Sequence, residues 1–477
     1  MSEITQLHKT SYVDREVVQR LLKTVDFGVF FIGSMLLLFR TMTDNGPENA
    51  ILAGFSALCV TLSVMLVLRQ LGLYDVNSLT SPLYGLLASA GVGFAVGVLA
   101  YGVLTVLILP LSTLWLFGWL ALVLVQFTIT RMSVAIWAMP LAKSGSFRQR
   151  IAIVGGGKAA EDAINILEDS KNLDVEIVGL FDDRNDDRSP ESIHKYHKLG
   201  KIDELADYAR ENRVDLIIVA VPMSAEARLL QILKRLWELP IDIRIAAHTA
   251  KLKLSPSAYT HLGNLPLMSV FDRPVSGWNW FMKDAVDRIL ASIFIVLLSP
   301  VMAAVWLAVR LESPGPAIFK QKRYGFNNEL VEVFKFRSMY TDMGDANASK
   351  LVTKGDARVT RVGKFIRKAS LDELPQLFNV LTGQLSLVGP RPHATQAKAA
   401  NDLYDQVVDG YFARHKVKPG ITGWAQINGW RGETDTHEKI ENRVKYDLDY
   451  INRWSILFDL YIIAKTPFAL LKSENAY

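Results

Sequence analysis

The sequence predicts an integral membrane protein that also carries α/β domains. Four crossing helices form an N-terminal bundle, a parallel-sheet domain follows, and a C-terminal α/β domain is held on one bilayer face by a helix that enters and returns. Three observations predict this. Half of the 477 residues are hydrophobic and mean hydropathy is positive at +0.18, too apolar for an ordinary soluble chain. Long apolar stretches fill much of the first 130 residues, and a β-branched run with a glycine-rich turn follows them.

The first 23 residues are polar, mixed in charge and without a cleavage pattern, so the N-terminus is expected to be retained. Apolar stretches run from Thr24 to Phe39 and from Asn49 to Leu68, apart from Asp26 near the start of the first. Val76 to Thr130 holds no charged residue. That last run is roughly twice the ~20 residues needed to cross a bilayer, and Pro110 with Ser112 and Thr113 marks a hairpin within it. Four spans over residues 1–143 follow. Lys9, Arg15, Arg20 and Lys23 precede the first span, and Arg131, Lys143, Arg148 and Arg150 follow the fourth, which places both ends in the cytoplasm.

The single cysteine, Cys59, excludes an internal disulfide or a cysteine metal cluster. A net charge of +5 suits anionic lipid or phosphate partners, while nucleic acid binding gains no support because no long Lys/Arg run occurs.

The middle segment, residues 148–270, opens with RIAIVGGGKAAEDAINILEDSKNLDVEIVGLFDD: strand, glycine-rich turn, helix, second strand ending in acids. Gly155, Gly157 and Ala160 fit a GxGxxG/A turn, and Val214 to Pro222 and Ile241 to Ala247 read as further buried parallel strands. The domain is therefore Rossmann-like. Gly155 and Gly157 are candidate cofactor-binding positions and Asp182 or Asp183 a candidate ribose holder, yet the same glycines also serve helix packing alone. The segment resembles the CoA-binding-like domain of nucleotide-sugar dehydratases and large membrane sugar transferases.

Residues 284–310 form an apolar helix flanked by Trp278, Trp280, Phe281 and Lys283, an interfacial signature. Ser299 and Pro300 in its middle predict a bend or a break, because proline removes a donor and clashes one turn back. A fifth crossing would carry the basic C-terminal segment out of the cytoplasm; a re-entrant helix keeps it inside. Near the C-terminus, Trp454 to Lys472 is apolar but holds Asp459 and Lys465, which reads as an interfacial helix.

Between these membrane elements lies the chemistry. Asp372 and Glu373 stand adjacent in SLDELPQL, a pattern that a solvated helix corner would also give. Around them in sequence lie Lys335, Arg337, Arg358, Arg367 and Arg391. Cations about one acidic pair suit phosphoryl transfer, in which guanidinium forks neutralise oxygens and carboxylates hold a divalent metal. Neighbouring residues of a helix diverge by about 100°, so one acid can attack phosphorus while the other manages metal or proton. Gln426 and Arg431, in PGITGWAQINGWRGE, are candidate sugar or uridine readers, with Glu433 beside them; His393 is a weaker substrate contact.

KFRSM (Lys335 to Met339), SLDELPQLFNV (Ser370 to Val380), SLVGPRP (Ser386 to Pro392) and PGITGWAQIN (Pro419 to Asn428) together resemble the bacterial sugar transferases, the polyprenyl-phosphate hexose-1-phosphate transferases of large monotopic form. The resemblance implies that residues 278–477 are a phosphoglycosyl transferase catalytic domain. In that family's chemistry Asp372 would attack the β-phosphorus of a UDP-sugar, release UMP and pass the phosphosugar to undecaprenyl phosphate, with Glu373 completing the dyad beside Mg2+ or Mn2+. It further implies phosphate contacts from Arg367 and Arg391, a helix break at Ser299 and Pro300, and residence in the bacterial inner membrane with the catalytic domain facing the cytoplasm. Downstream glycosyltransferases in exopolysaccharide or capsule synthesis would be successors, and a homodimer is compatible with it. GWRGETDT resembles the glucose-transferring branch, so UDP-glucose is expected ahead of UDP-galactose.

Two other classes compete. A membrane-anchored nucleotide-sensing scaffold would not need the intact dyad among arginines. A dehydratase or epimerase would need a Tyr-x-x-x-Lys pair, whereas Tyr196 and Tyr208 have Gly200 and Asn212 four residues on.

Overall fold

A computed structural model describes the chain except residues 1–13, 42–46, 76–77, 79–80, 108–111, 144, 171–173, 185–189, 223–224, 248–259, 342–355, 393–397, 400–401, 404–410, 431–435 and 473–477. It divides into two units, Met1–Arg148 and Gln149–Tyr477.

The first unit is a bundle of four long helices: α1 (Arg15–Thr41), α2 (Pro47–Gln70), α3 (Pro82–Leu107) and α4 (Thr113–Lys143). All four are long and apolar enough to cross a membrane. The expected hairpin residue Pro110 lies outside the described residues. Inside the bundle, Phe30, Trp115, Trp119 and Phe127 are fully buried, and the indole of Trp119 donates to Gly93 O at 3.0 Å. Gly97 makes this packing possible, since a Cβ there would stand 2.1 Å from the Trp119 ring. Apolar side chains such as Leu36, Leu99 and Ile136 face outward, as lipid-facing surfaces do.

One sequence expectation fails in this unit. Arg131 is no flank of the fourth span: it lies inside α4, its side chain 1 % exposed, with Nη2 3.3 Å from Asp26 Oδ2 of α1. Its Nε donates to Ser89 Oγ at 3.2 Å, and Gln126 donates to Asp26 Oδ1 at 3.2 Å. Desolvating a charge in the bilayer is costly, so each member needs the other.

The second unit begins with an eight-stranded sheet in the order β3-β4-β2-β1-β5-β6-β8-β7. Its central strands β1 (Gln149–Val154), β2 (Val175–Phe181), β5 (Leu216–Val219) and β6 (Asp242–Ala246) are parallel. β4 (Tyr196–Gly200) continues them beyond β2, and β3 (Ser192–Ile193), β7 (Thr260–Leu262) and β8 (Leu265–Phe271) close the edges in antiparallel pairings. Ile151, Ile153, Ile217 and Ile218 are wholly buried, as in a sheet covered on both faces.

After the sheet helices α5 (Lys158–Asp169), α6 (Glu204–Glu211) and α7 (Glu226–Leu236) comes α8 (Gly277–Glu312), 36 residues that also meet the length and hydropathy needed to cross a membrane. Of the expected bend or break, the break does not occur: the chain stays helical through Pro300. The reason is local: Pro300 cannot donate to Val296 O, and Ser299 Oγ donates to that same carbonyl at 2.8 Å. Both halves of α8 pack on the domain that follows. Ala291 is buried with Leu377, Leu387 and Ile462, and Val305 and Val309 are buried with Phe336 and Ile366.

That domain contains a hairpin of β9 (Ile318–Tyr324) and β10 (Leu330–Phe336), helices α9 (Arg361–Lys368) and α10 (Gln376–Leu381), and a parallel pair of β11 (Ser386–Val388) and β12 (Gly420–Thr422). It ends in α11 (Trp424–Ile427), α12 (His437–Asn452) and α13 (Ile456–Lys472). A buried polar lock joins these pieces. Lys283 Nζ donates to Asp459 Oδ2 at 2.7 Å and to Val388 O at 3.1 Å, and Tyr450 OH bonds the same carbonyl and Asp459 Oδ1. Ser386 Oγ donates to Asp287 Oδ2 at 2.6 Å. The start of α8 is thereby tied to β11, α12 and α13.

Candidate active site

The acidic pair sits on a 3-10 turn, Leu371–Glu373, between α9 and α10. The turn is set by Ser370, a non-glycine residue at φ 57°, ψ 21°. That left-handed conformation costs roughly 1–2 kcal/mol for an ordinary L-residue and ends α9 abruptly, so that Asp372 and Glu373 are presented apart.

Glu373 is gripped by two cations. Lys335 Nζ of β10 donates to Oε1 at 2.9 Å; Arg391, in the GPRP turn after β11, donates to Oε1 at 2.5 Å and to Oε2 at 3.2 Å. The turn is held by close backbone passage: a Cβ on Gly389 would lie 2.4 Å from Lys418 O. Burial alone would raise the Glu373 pKa, but Arg391 and Lys335 outweigh it and hold the carboxyl well below its usual range.

Asp372 differs in kind. It accepts no hydrogen bond among the described residues, and burial pushes its pKa up, with Lys335 opposing and the Glu373 charge adding to the rise. Burial likewise lowers Lys335, against the pull of Glu373. Arg367, on α9, is near enough to feel the Asp372 charge and donates to Ser338 Oγ at 2.9 Å. The arrangement is one paired carboxylate beside one unpaired carboxylate, with three cations around them.

The other sequence candidates have different partners. Arg337 is a staple: its Nη2 donates to Ser313 O at 2.7 Å and Val309 O at 3.3 Å, and its Nη1 to Pro314 O at 2.8 Å, closing the C-terminal end of α8. Its Nη1 and Nη2 are thereby taken up by the chain itself. Arg358 forks onto Asp356, with Nη2 to Oδ2 at 2.6 Å, and holds that carboxyl at about 2. Gln426 donates to Ile421 O at 3.3 Å, and its Oε1 is buried without a partner beside the cleft that reaches Glu373. Arg431, Glu433 and His393 lie outside the described residues.

Arg323, which the sequence offers only as one of a block of cations and not as a site residue, stands near Lys335. It donates to Pro392 O at 2.5 Å and to Gln321 Oε1, and its charge helps depress Lys335. Its strand position opposite Val331 gives no sequence signal of that approach.

In the parallel-sheet domain, Gly155 at φ 112° packs so closely that a Cβ would lie 2.8 Å from Ala220 O, and its N–H donates to Phe181 O at 2.9 Å. Gly157 caps the following helix, Lys158–Asp169, at φ 74°. The acids expected to face a ribose are already engaged: Asp182 by a fork from Arg184, and Asp183 by Arg228 and Arg235. Gly155 thus serves close packing, and Gly157 the positive-φ turn into the helix.

For a divalent cation the donor set is small. No group of three or more His, Cys, Asp or Glu side chains converges among the described residues. Asp372 offers unpaired oxygens and Glu373 shares the site, which fits a Mg2+ ligated mainly by substrate phosphate oxygens.

Comparison with known proteins gives a consistent result. Residues 278–473 match the family described as bacterial sugar transferase, and residues 69–247 match a CoA-binding domain. The chain is 38% identical over 364 residues to a UDP-glucose:undecaprenyl-phosphate glucose-1-phosphate transferase of Escherichia coli (strain K12), covering 76% of each. It is 39% identical to an undecaprenyl-phosphate glucose phosphotransferase of Komagataeibacter xylinus, over 69% of this chain and 60% of that protein. An undecaprenyl-phosphate galactose phosphotransferase of Salmonella typhimurium is 28% identical over 76% of each.

Proposed function

The chain belongs to the bacterial sugar transferase family, and from that premise we propose that it transfers glucose 1-phosphate from UDP-glucose to undecaprenyl phosphate, releasing UMP, as the initiating step of an exopolysaccharide or capsule. The observation that carries this reading is the asymmetric dyad: Glu373 neutralised by Lys335 and Arg391, Asp372 unpaired beside it.

Two displacements account for the residues. A carboxylate oxygen of Asp372 attacks the β-phosphorus; the bond from that phosphorus to the bridging oxygen breaks, and UMP leaves with the electron pair. An oxygen of the lipid phosphate then attacks the same phosphorus and the Asp372–phosphorus bond breaks, restoring the carboxylate. Arg367, Arg391 and Lys335 offset the charge gathering on the phosphoryl oxygens. Asp372 and Glu373 would hold a Mg2+, which when bound neutralises the diphosphate.

Membrane placement follows the same logic. One substrate is dissolved and the other is anchored by its tail, so the dyad must lie near the interface. Both ends of α8 are fastened to one small domain, Lys283 to Val388 and Val309 to Arg337, which supports a helix that enters and returns by bending at Pro300 while staying helical, with that domain on the cytoplasmic face. Glucose is favoured over galactose by the higher identity to the glucose enzymes, 38% against 28%.

Purified protein given UDP-glucose, Mg2+ and undecaprenyl phosphate should release UMP and label the lipid. Absence of UMP with either UDP-sugar defeats the reading, and preference for UDP-galactose replaces the donor.

A further inference from the structure

An apolar cleft of about 300 Å3 reaches Glu373 and Ser370, and none of Lys335, Arg367 or Arg391 lines it. Phe294 and Leu298 of α8 form one wall, Ile463 and Leu470 of α13 the other, and Ile421 of β12 lies between them. Its threonines offer little to a polar ligand, because Thr422 Oγ1 and Thr466 Oγ1 bond each other at 2.8 Å. Gln426, Ser370 and Glu373 are the other polar residues of a lining that is otherwise mostly apolar, so a sugar or nucleoside buried here would leave most of its hydroxyls unpaired, at roughly 1–3 kcal/mol each.

The wall helices are also the ones that carry outward apolar surface. Val296 and Leu297 of α8 and Phe468 of α13 are 72%, 67% and 65% exposed. The cleft therefore lies between two helices that carry lipid-facing surface and reaches Glu373, the immediate neighbour of Asp372. Resting on the function proposed above, we propose that this cleft holds the isoprene units next to the phosphate of the acceptor lipid, so that α8 and α13 select a polyprenyl chain and aim its phosphate at Asp372. Its volume suits a few isoprene units, and the remainder of the chain stays in the bilayer.

The two half-reactions separate the cleft from the chemistry. Exchange of labelled UMP into UDP-glucose needs no lipid and reports the first displacement; full turnover needs the acceptor. Leu298→Trp and Ile463→Trp should keep exchange within about twofold and raise the KM for undecaprenyl phosphate about tenfold or more, as expected when a fitted apolar chain is displaced. An unchanged lipid KM with intact exchange overturns the cleft. Loss of exchange in the wild type overturns the proposed function instead. Should either tryptophan variant lose exchange through misfolding, Leu298→Ala and Ile463→Ala decide: a lipid KM raised about threefold or more supports the cleft, and an unchanged one overturns it.

Discussion

Lys335 and Arg391, from a hairpin strand and a proline-flanked turn, donate to the same oxygen of Glu373, at 2.9 and 2.5 Å. Removing one leaves a buried carboxylate half neutralised. Arg391→Met should destabilise the protein by about 3 kcal/mol and cut turnover with UDP-glucose at least tenfold, measured by denaturant titration and UMP release. Arg337→Met should also destabilise, because it frees carbonyls at the end of α8, yet leave the KM for UDP-glucose within about twofold. A large KM effect at Arg337 would place it in the substrate site after all.

Asp372→Asn removes the attacking oxygen without changing side-chain size. Exchange of UMP into UDP-glucose should fall by about a thousandfold or more. Exchange at wild-type speed would exclude a covalent aspartyl intermediate.

The dyad also fixes a pH response. Asp372 must be ionised to attack, and its pKa is raised, so the exchange rate should climb with pH through a midpoint above the ordinary aspartate range. The Glu373 charge contributes to that rise; in Glu373→Gln the midpoint should move to lower pH even as the maximal rate drops. A midpoint that moves upward, or stays in place, contradicts this coupling.

Ser370 gives a backbone prediction. Glycine accepts φ 57° freely and valine does not, so Ser370→Gly should keep its stability while Ser370→Val should lose about 1–2 kcal/mol and slow exchange by displacing the turn. Equal behaviour of the two variants would show that this conformation is not required.

Much of the molecule was legible in its residues, for identifiable reasons. The four spans and the sheet strands follow from hydrophobic pattern, and Ser299 beside Pro300 carries its own repair within one turn of sequence. Asp372 and Glu373 stood out through neighbouring motifs. What sequence did not resolve was direction: Arg337 and Arg391 look alike as basic residues within recognisable motifs, and only folding turns one toward carbonyls and the other toward Glu373. Direction likewise distinguishes Arg358, which forks onto Asp356 two residues earlier. Asp26 and Arg131 lie 105 residues apart, so no local pattern could join them.

That buried pair in the N-terminal bundle can be tested by a cycle. Asp26→Ala or Arg131→Met alone should cost about 3 kcal/mol in detergent unfolding, and the double variant should recover part of the loss because no charge is left unpaired.

The same pair bears on how the protein is made. When the first helix leaves the ribosome its aspartate has no cation to meet, because the arginine that neutralises it belongs to the last helix of the bundle. An isolated acid at that depth disfavours insertion by about 2.5–3.5 kcal/mol. Biogenesis of the bundle is therefore a matter of timing: the first helix is provisionally housed until the fourth arrives, and a chain interrupted before residue 131 would present the cell's quality control with an uncompensated charge.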